Sequence, residues 1–256
     1  MELLKIEHIK KSFDGLKVVD DLSFTLEKGK ITSLIGPNGA GKTTLFNILS
    51  GLCKADSGDI YFNSNSIFNK SPYYIANLGI GRTFQNIKLF PQISVWDNVL
   101  LASQNHSGEH FIKTLLPTKQ VHEDEKNAEE KAMECLEFVG LFNKKEYFAE
   151  NLSYGQKKLL GLAITLATGA DLLLLDEPTA GVYPETRKKI LELLGQLRDQ
   201  GKTILFIEHD MKIVMDISDI VIVMNYGKKI VEGSPENVKN NQDVKDAYLG
   251  RGNGSS

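Results

Sequence analysis

The sequence predicts an α/β fold built on a largely parallel, helix-covered sheet, and three observations predict it. The short segments "ITSLIG", "DLLLLDEP" and "TILFIEHD" are apolar without alternation, the pattern of strands buried on both faces. Helical stretches fall between such segments, as parallel pairing requires. The first segment also runs straight into a glycine-rich loop and a helix, "PNGAGKTTLFNILSGL".

Taken in order, "LLKIEHIKKSF" and "LKVVDDLSFTL" are short, mixed in polarity and followed by the turn "EKGK", so they are expected as antiparallel strands. The phosphate-loop strand and helix follow. From Ile75 to about Val99 the pattern is irregular, and Gln104 to Pro117 mixes Gly, Ser, His and Pro as a loop or insertion does. "EDEKNAEEKAMECLEFVGL" is a helix with Ala128, Ala132, Cys135 and Val139 on one face and charges on the solvated other. The most apolar stretch, Leu159 to Leu175, is broken by Gly161, Gly169 and Asp171 before it could span a bilayer. It reads as a buried helix followed by a buried strand. "PETRKKILELLGQLRDQG" is a helix with Pro184 near its start and Gly201 at its end. "IVIVMNYGKKIVEG" is expected as a hairpin turning around Asn225 to Gly227.

Composition narrows the class. Hydrophobic residues make up 41% and charged residues 25%, an ordinary globular balance. A formal net charge of −3 gives no electrostatic argument for nucleic acid or an anionic membrane. "MELLKIEHIKK" contains no signal-peptide h-region. Cys53 and Cys135 stand far apart, so neither a disulfide framework nor a zinc site is expected and a reducing compartment fits. Any membrane contact is expected to be peripheral.

Several segments carry chemistry. "GPNGAGKT", Gly36 to Thr43, matches G-x-x-x-x-G-K-[ST], with a strand before it and a helix after it. Its small residues let the backbone wrap phosphates; Lys42 supplies charge to them and the Thr43 hydroxyl suits Mg²⁺. "LLLLDEP" ends a buried strand on Asp176, which can reach that metal through water, and on Glu177, placed as a general base for an attacking water. His209 follows "TILFI" and so falls at the carboxyl end of another strand, where ligands of open parallel sheets gather. Gln85 in "GRTFQN" could bridge metal and water. "ENLSYGQKK" poses a separate question, because Asn151 and Ser153 are cap-type residues and Gly155 leaves backbone bare at a helix start, a second place suited to an anion. "HSGEH", His106 to His110, fits the zinc pattern H-x-x-E-H, but Ser107 and Gly108 make a poor helix and no third ligand lies near.

With these residues in order the chain resembles the ATP-binding-cassette (ABC) ATPases over almost its whole length. "GPNGAGKTT" corresponds to the Walker A loop, Gln85 to the Q-loop, "LSYGQ" to the signature motif, "LLLLDEP" to Walker B and His209 to the switch histidine. The resemblance implies a P-loop NTPase core with an antiparallel β subdomain and an α-helical signature subdomain. It divides the chain into a nucleotide-binding domain over 1–250 (core and β subdomain about 1–85 and 160–250, helical subdomain about 86–159) and a flexible tail over 251–256. It implies ATP and Mg²⁺, with Gly36, Pro37, Asn38, Gly39, Ala40, Gly41, Lys42, Thr43 and Thr44 around the phosphates. Thr43, Gln85 and Asp176 would serve the metal, and Phe13 would stack on adenine. Family members pair head to tail around two ATP molecules, which gives "LSYGQ" its task. Ser153, the Gly155 backbone and Gln156 would address the γ-phosphate held by a partner.

A closer resemblance is carried by "GRTFQNIKLFPQISVWDNVLLA", by the tyrosine of "LSYGQ" and by "EHDMKIVMDISDIVIVMNYGKKIVEGSPENVKNNQDVKDAYLG". These look like the ATPase subunits of branched-chain (hydrophobic) amino acid importers. That implies permease subunits, a second ATPase subunit of the same or a different kind, and indirectly a periplasmic or extracellular substrate-binding protein. It also implies a peripheral place on the cytoplasmic side of the membrane and no nucleic-acid partner. Phe90, Val95 and Trp96 would line the groove that receives a coupling helix, or else form subdomain core. Tyr183 departs from the family, which usually has Asp or Asn there to align the opposite site. The ATPase of a urea importer or a lipid exporter remains an alternative, as does a soluble ABC protein, although such chains usually carry two cassettes or a long coiled-coil insertion.

Overall fold

A computed structural model of the protein describes residues 1–83, 89–103 and 119–249. Gln85, the "HSGEH" segment and the tail over 251–256 lie outside the described residues. The chain forms two compact units. The first comprises Met1–Arg82, Asp171–Pro178 and the described residues from Leu194 on; the second comprises the described residues of Thr83–Ala170 with Thr179–Leu193.

The first unit carries two sheets. Strands β1 (Glu2–Phe13) and β2 (Leu16–Glu27) pair antiparallel, and β4 (Ser57–Phe62) and β5 (Asn65–Ser66) extend the sheet in the order β2-β1-β4-β5. The other sheet runs β10-β9-β3-β8-β7-β6, from β3 (Ile31–Ile35), β6 (Ile80–Arg82), β7 (Leu172–Asp176), β8 (Thr203–Ile207), β9 (Ile220–Asn225) and β10 (Lys228–Gly233). All its neighbours are parallel except the β9–β10 hairpin.

Every residue of β3, β7 and β8 is buried, which explains why none of them alternates. Side chains of β9 show the two faces at once. Ile222 and Met224 join a core shared with Leu45, Phe46 and Leu49 of helix α1 (Lys42–Leu49) and with Ile6, Leu22 and Phe62 of the antiparallel sheet. Val221 and Val223 point the other way. They pack with Val214 of α7 (Met211–Ile217), Val238 of α8 (Pro235–Asn240) and Val244 of α9 (Gln242–Leu249).

The second unit is helical. Helices α3 (Val95–Ser103), α4 (Lys119–Val139) and α5 (Tyr154–Ala167) pack on one another, burying Val99, Ala132, Leu136, Leu160 and Ala163. The expected apolar face of α4 is buried at Ala128, Ala132, Cys135 and Val139. This unit runs past the 86–159 expected for a helical subdomain and takes in α5, which packs against α3 and α4. The early part of α6 (Pro184–Asp199) also belongs to it.

The stretch read as irregular contains the end of α2 (Pro72–Asn77), β6 and the start of α3. Cys53 and Cys135 form no disulfide. No helix among the described residues is long and apolar enough to cross a membrane.

Candidate functional site

The phosphate loop leaves β3 and turns into α1 through two glycines that no other residue could replace. Gly36 has φ +151° and a Cβ there would stand 2.0 Å from the Met224 carbonyl oxygen. Gly41 caps α1 with φ +99°, and its Cβ would meet the Val18 carbonyl oxygen at 2.4 Å. The loop is thus pressed against β2 and β9, with the helix start and its unpaired N–H groups at its end.

Lys42 is only 6% exposed, and its Nζ donates to the carbonyls of Gly36 (2.7 Å) and Pro37 (3.0 Å). Burial lowers its pKa below that of an ordinary lysine, while the charges of Glu177 and Asp176 pull the other way. Lys42 therefore lies within electrostatic reach of both carboxylates. Pro37, Asn38, Gly39 and Ala40 border a cleft of about 900 Å³ that Val18, Tyr226 and Asp243 also line. Thr43 is exposed on the first turn of α1, with the half-buried Thr44 beside it.

Parallel register brings the remaining groups to the same edge. Leu34 of β3 pairs with Ile207 of β8, and Ile207 with Asp176 of β7, so these three strands end level. Asp176 is 3% exposed, and Glu177 follows it in a left-handed conformation (φ +48°), an uncommon state for a residue with a side chain. Glu177 N–H donates to the Ile207 carbonyl at 3.1 Å. Two residues past β8, His209 Nε2 lies 2.9 Å from Glu177 Oε1, and with the carboxylate ionised the imidazole is the donor. Lys42, Asp176, Glu177 and His209, singled out from the sequence, are brought together.

The donor set fits the group it is expected to hold. Thr43 hydroxyl and Asp176 carboxylate are hard oxygen ligands of the kind Mg²⁺ takes, with most of its shell left to water and phosphate. Phe13 ends β1 at 47% exposure, with Lys11 Nζ 5.0 Å from its ring centroid, so an aromatic face is presented at the surface.

The signature segment belongs to the second unit. Ser153 caps α5: its Oγ accepts from Gln156 N–H (3.3 Å), and Gln156 Oε1 accepts from Ser153 N–H (3.0 Å). Gly155 is needed for packing as well as for bare backbone, since a Cβ there would meet Thr186 Cγ2 at 2.9 Å. Tyr183 is 85% exposed. Of the three residues offered to a coupling groove, Val95 is fully buried core, Trp96 is half-buried and Phe90 is exposed.

Sequence reasoning passed over Arg82. Its side chain is tucked in at the end of β6, with Nη2 3.6 Å from Asp176 Oδ2. It also passed over Tyr226 and Asp243 on the cleft, which no local pattern marks.

The chain matches the ABC transporter family over residues 19–180, and residues 228–252 match the family described as branched-chain amino acid ATP-binding cassette transporter. It is 40% identical over 249 residues to the high-affinity branched-chain amino acid transport ATP-binding protein LivG of Salmonella typhimurium, covering 97% of this chain and 98% of that one. It is 38% identical to the corresponding protein BraF of Pseudomonas aeruginosa with the same coverage. Among solved structures, the ADP conformation of an ATP-binding cassette of an ABC transporter is 37% identical, with a TM-score of 0.85 over 98% of this chain and 99% of that one.

Proposed function

Because this chain belongs to the ABC transporter family, we propose that it is the ATP-hydrolysing subunit of an importer for branched-chain or other hydrophobic amino acids. One observation carries the enzymatic part: Lys42, Asp176, Glu177 and His209 converge at the level ends of three adjacent parallel strands. The substrate class is supported by full-length likeness to LivG and BraF and by the match of the C-terminal segment.

Lys42 and the N–H groups of the loop from Gly36 to Thr44 hold the ATP phosphates, and Phe13 offers its exposed ring to the base. Thr43, Asp176 and Gln85 would hold Mg²⁺, which when bound neutralises charge on the phosphates. Glu177 takes the proton of the attacking water. His209 holds the Glu177 carboxylate in one orientation and lies ready to contact the γ-phosphate. Phosphoryl transfer has a loose transition state, so these groups act by position and charge rather than by covalent chemistry.

Ser153, Gly155 and Gln156 serve the ATP of a second ATPase subunit in a head-to-tail pair, and hydrolysis lets the pair open. Permease subunits and, indirectly, a periplasmic or extracellular substrate-binding protein complete an assembly in which this chain sits on the cytoplasmic side of the membrane.

Replacing Glu177 tests the enzymatic reading. Glu177→Gln should keep ATP binding, lose turnover by roughly 100-fold or more, and accumulate as an ATP-loaded dimer in size-exclusion chromatography. Near-normal turnover would remove Glu177 from the role of base. Capture from gently solubilised native membranes tests the transport reading, with two polytopic permeases and an amino-acid-binding protein expected alongside; recovery with ribosomes or DNA-repair proteins would overturn it.

A further inference from the structure

Arg82 is the last residue of β6, and its side chain is 7% exposed. A guanidinium buried this deeply costs several kcal/mol unless it is paired and hydrogen-bonded, so its partners show what it is held for. Nη1 donates to Asn47 Oδ1 at 2.8 Å and to Ser50 Oγ at 2.8 Å. Its guanidinium carbon lies 5.7 Å from the centroid of the Phe46 ring. These three partners all belong to α1 or its C-cap, the helix whose first residue is Lys42. The other nitrogen, Nη2, faces Asp176 Oδ2 at 3.6 Å. One planar fork thus spans the far end of the phosphate-loop helix and the carboxylate that ends β7. An apolar side chain would fill the same space at less cost, and a lysine could not engage two sides at once.

We propose that Arg82 is a positioning residue for the metal side of the ATP site, clamping the Asp176 carboxylate to the helix that carries Lys42 and Thr43. The proposal rests on the ATPase reading and adds the support beneath it. Arg82 itself touches neither metal nor phosphate. It holds Asp176 in one orientation, so that the carboxylate and the phosphate loop are held as one piece.

Support of this kind is expected to show in metal dependence rather than in nucleotide binding as such. The full chain would be titrated with the non-hydrolysable analogue AMP-PNP, once with Mg²⁺ and once in EDTA, with circular dichroism to check folding. Arg82→Met should lose about tenfold of the affinity gained from Mg²⁺, the scale usual for removing a hydrogen-bonding partner of a metal ligand. Its affinity in EDTA should stay at the parental value. Arg82→Lys should restore part of the gain because the charge is kept, and Asn47→Ala should shift the same ratio in the same direction by less. A folded Arg82→Met with parental Mg²⁺ dependence overturns the proposal, and so does an equal loss with and without the metal. If Arg82→Met does not fold, the Lys and Asn47→Ala variants decide by the same criterion. A parent protein whose AMP-PNP binding ignores Mg²⁺ would overturn the ATPase reading, and this proposal with it, before any variant is compared.

Discussion

Glu177 combines a chemical role with an unfavourable backbone. A residue with a Cβ held at φ +48° costs on the order of 1–2 kcal/mol over an ordinary conformation. The cost is borne because the turn after β7 directs Glu177 toward His209 while Asp176 stays buried beside Arg82. Glycine would relieve the strain, though it gives back about 0.5–1 kcal/mol through the freedom of the unfolded chain. Glu177→Gly is therefore expected to be inactive yet more stable than Glu177→Gln, by a few tenths to about 1 kcal/mol. Urea unfolding of the two variants checks this. Equal midpoints would show that the left-handed turn stores no strain.

At the level of elements, the start of α5 is fixed by its cap and by its seat on α6. The Ser153–Gln156 box satisfies two N–H groups that the helix leaves open, and Gly155 admits Thr186 to close contact. Alanine in a helix gains up to about 1 kcal/mol over glycine, whereas overfilling a packed contact loses about 1–3 kcal/mol. Crowding should win: Gly155→Ala is expected to destabilise the parent and to stabilise a Thr186→Ala background. A double-mutant cycle on urea midpoints measures the change of sign, and simple additivity would discount the contact. The elements differ in how much of them the sequence discloses. β3, β7 and β8 are readable because full burial leaves unbroken apolar runs, and α4 because one face is buried at helical spacing. β4 was not, since it opens on the polar run Ser57–Gly58–Asp59, nor was β6, which has three residues including a glycine and an arginine. The same division holds within the site. Lys42, Asp176, Glu177 and His209 announce themselves by residue type at strand ends. Arg82 becomes visible only when folding brings Asn47 and Ser50, 35 and 32 positions away, to its guanidinium.

Across the whole molecule, acid should act first through surface carboxylates of the unit that carries the phosphate loop. The Lys11 ammonium, at 2.8 Å, and the Ser12 N–H, at 2.7 Å, hold the Asp56 carboxyl below its usual range. Glu27 is lowered chiefly by its hydrogen bond with Lys30, and Asp20 by Lys228 and Lys17, whose pull outweighs the opposing effect of burial. A carboxyl that binds its proton more weakly when folded contributes its full stability above the unfolded pKa, about 4, and loses it as pH falls through the lower folded value. The urea midpoint should therefore be flat at neutral pH and decline as the pH drops below about 4. Lys11→Met supplies the internal control, because without that ammonium the pKa of Asp56 in the folded protein moves back toward its unfolded value. The variant should be less stable than the parent at pH 6, and the gap should narrow as both are taken to pH 3. A gap of constant size would mean that the Lys11 ammonium stabilises through the Phe13 ring, 5.0 Å from its centroid, rather than through Asp56. The pairs at Asp56 and Glu27 lie at the ends of β1 and β2, and that at Asp20 within β2; these strands carry Phe13 and back the phosphate loop through Val18. Acidification is thus expected to weaken AMP-PNP binding over the same pH range in which the urea midpoint falls, and binding that held while the midpoint fell would separate the two.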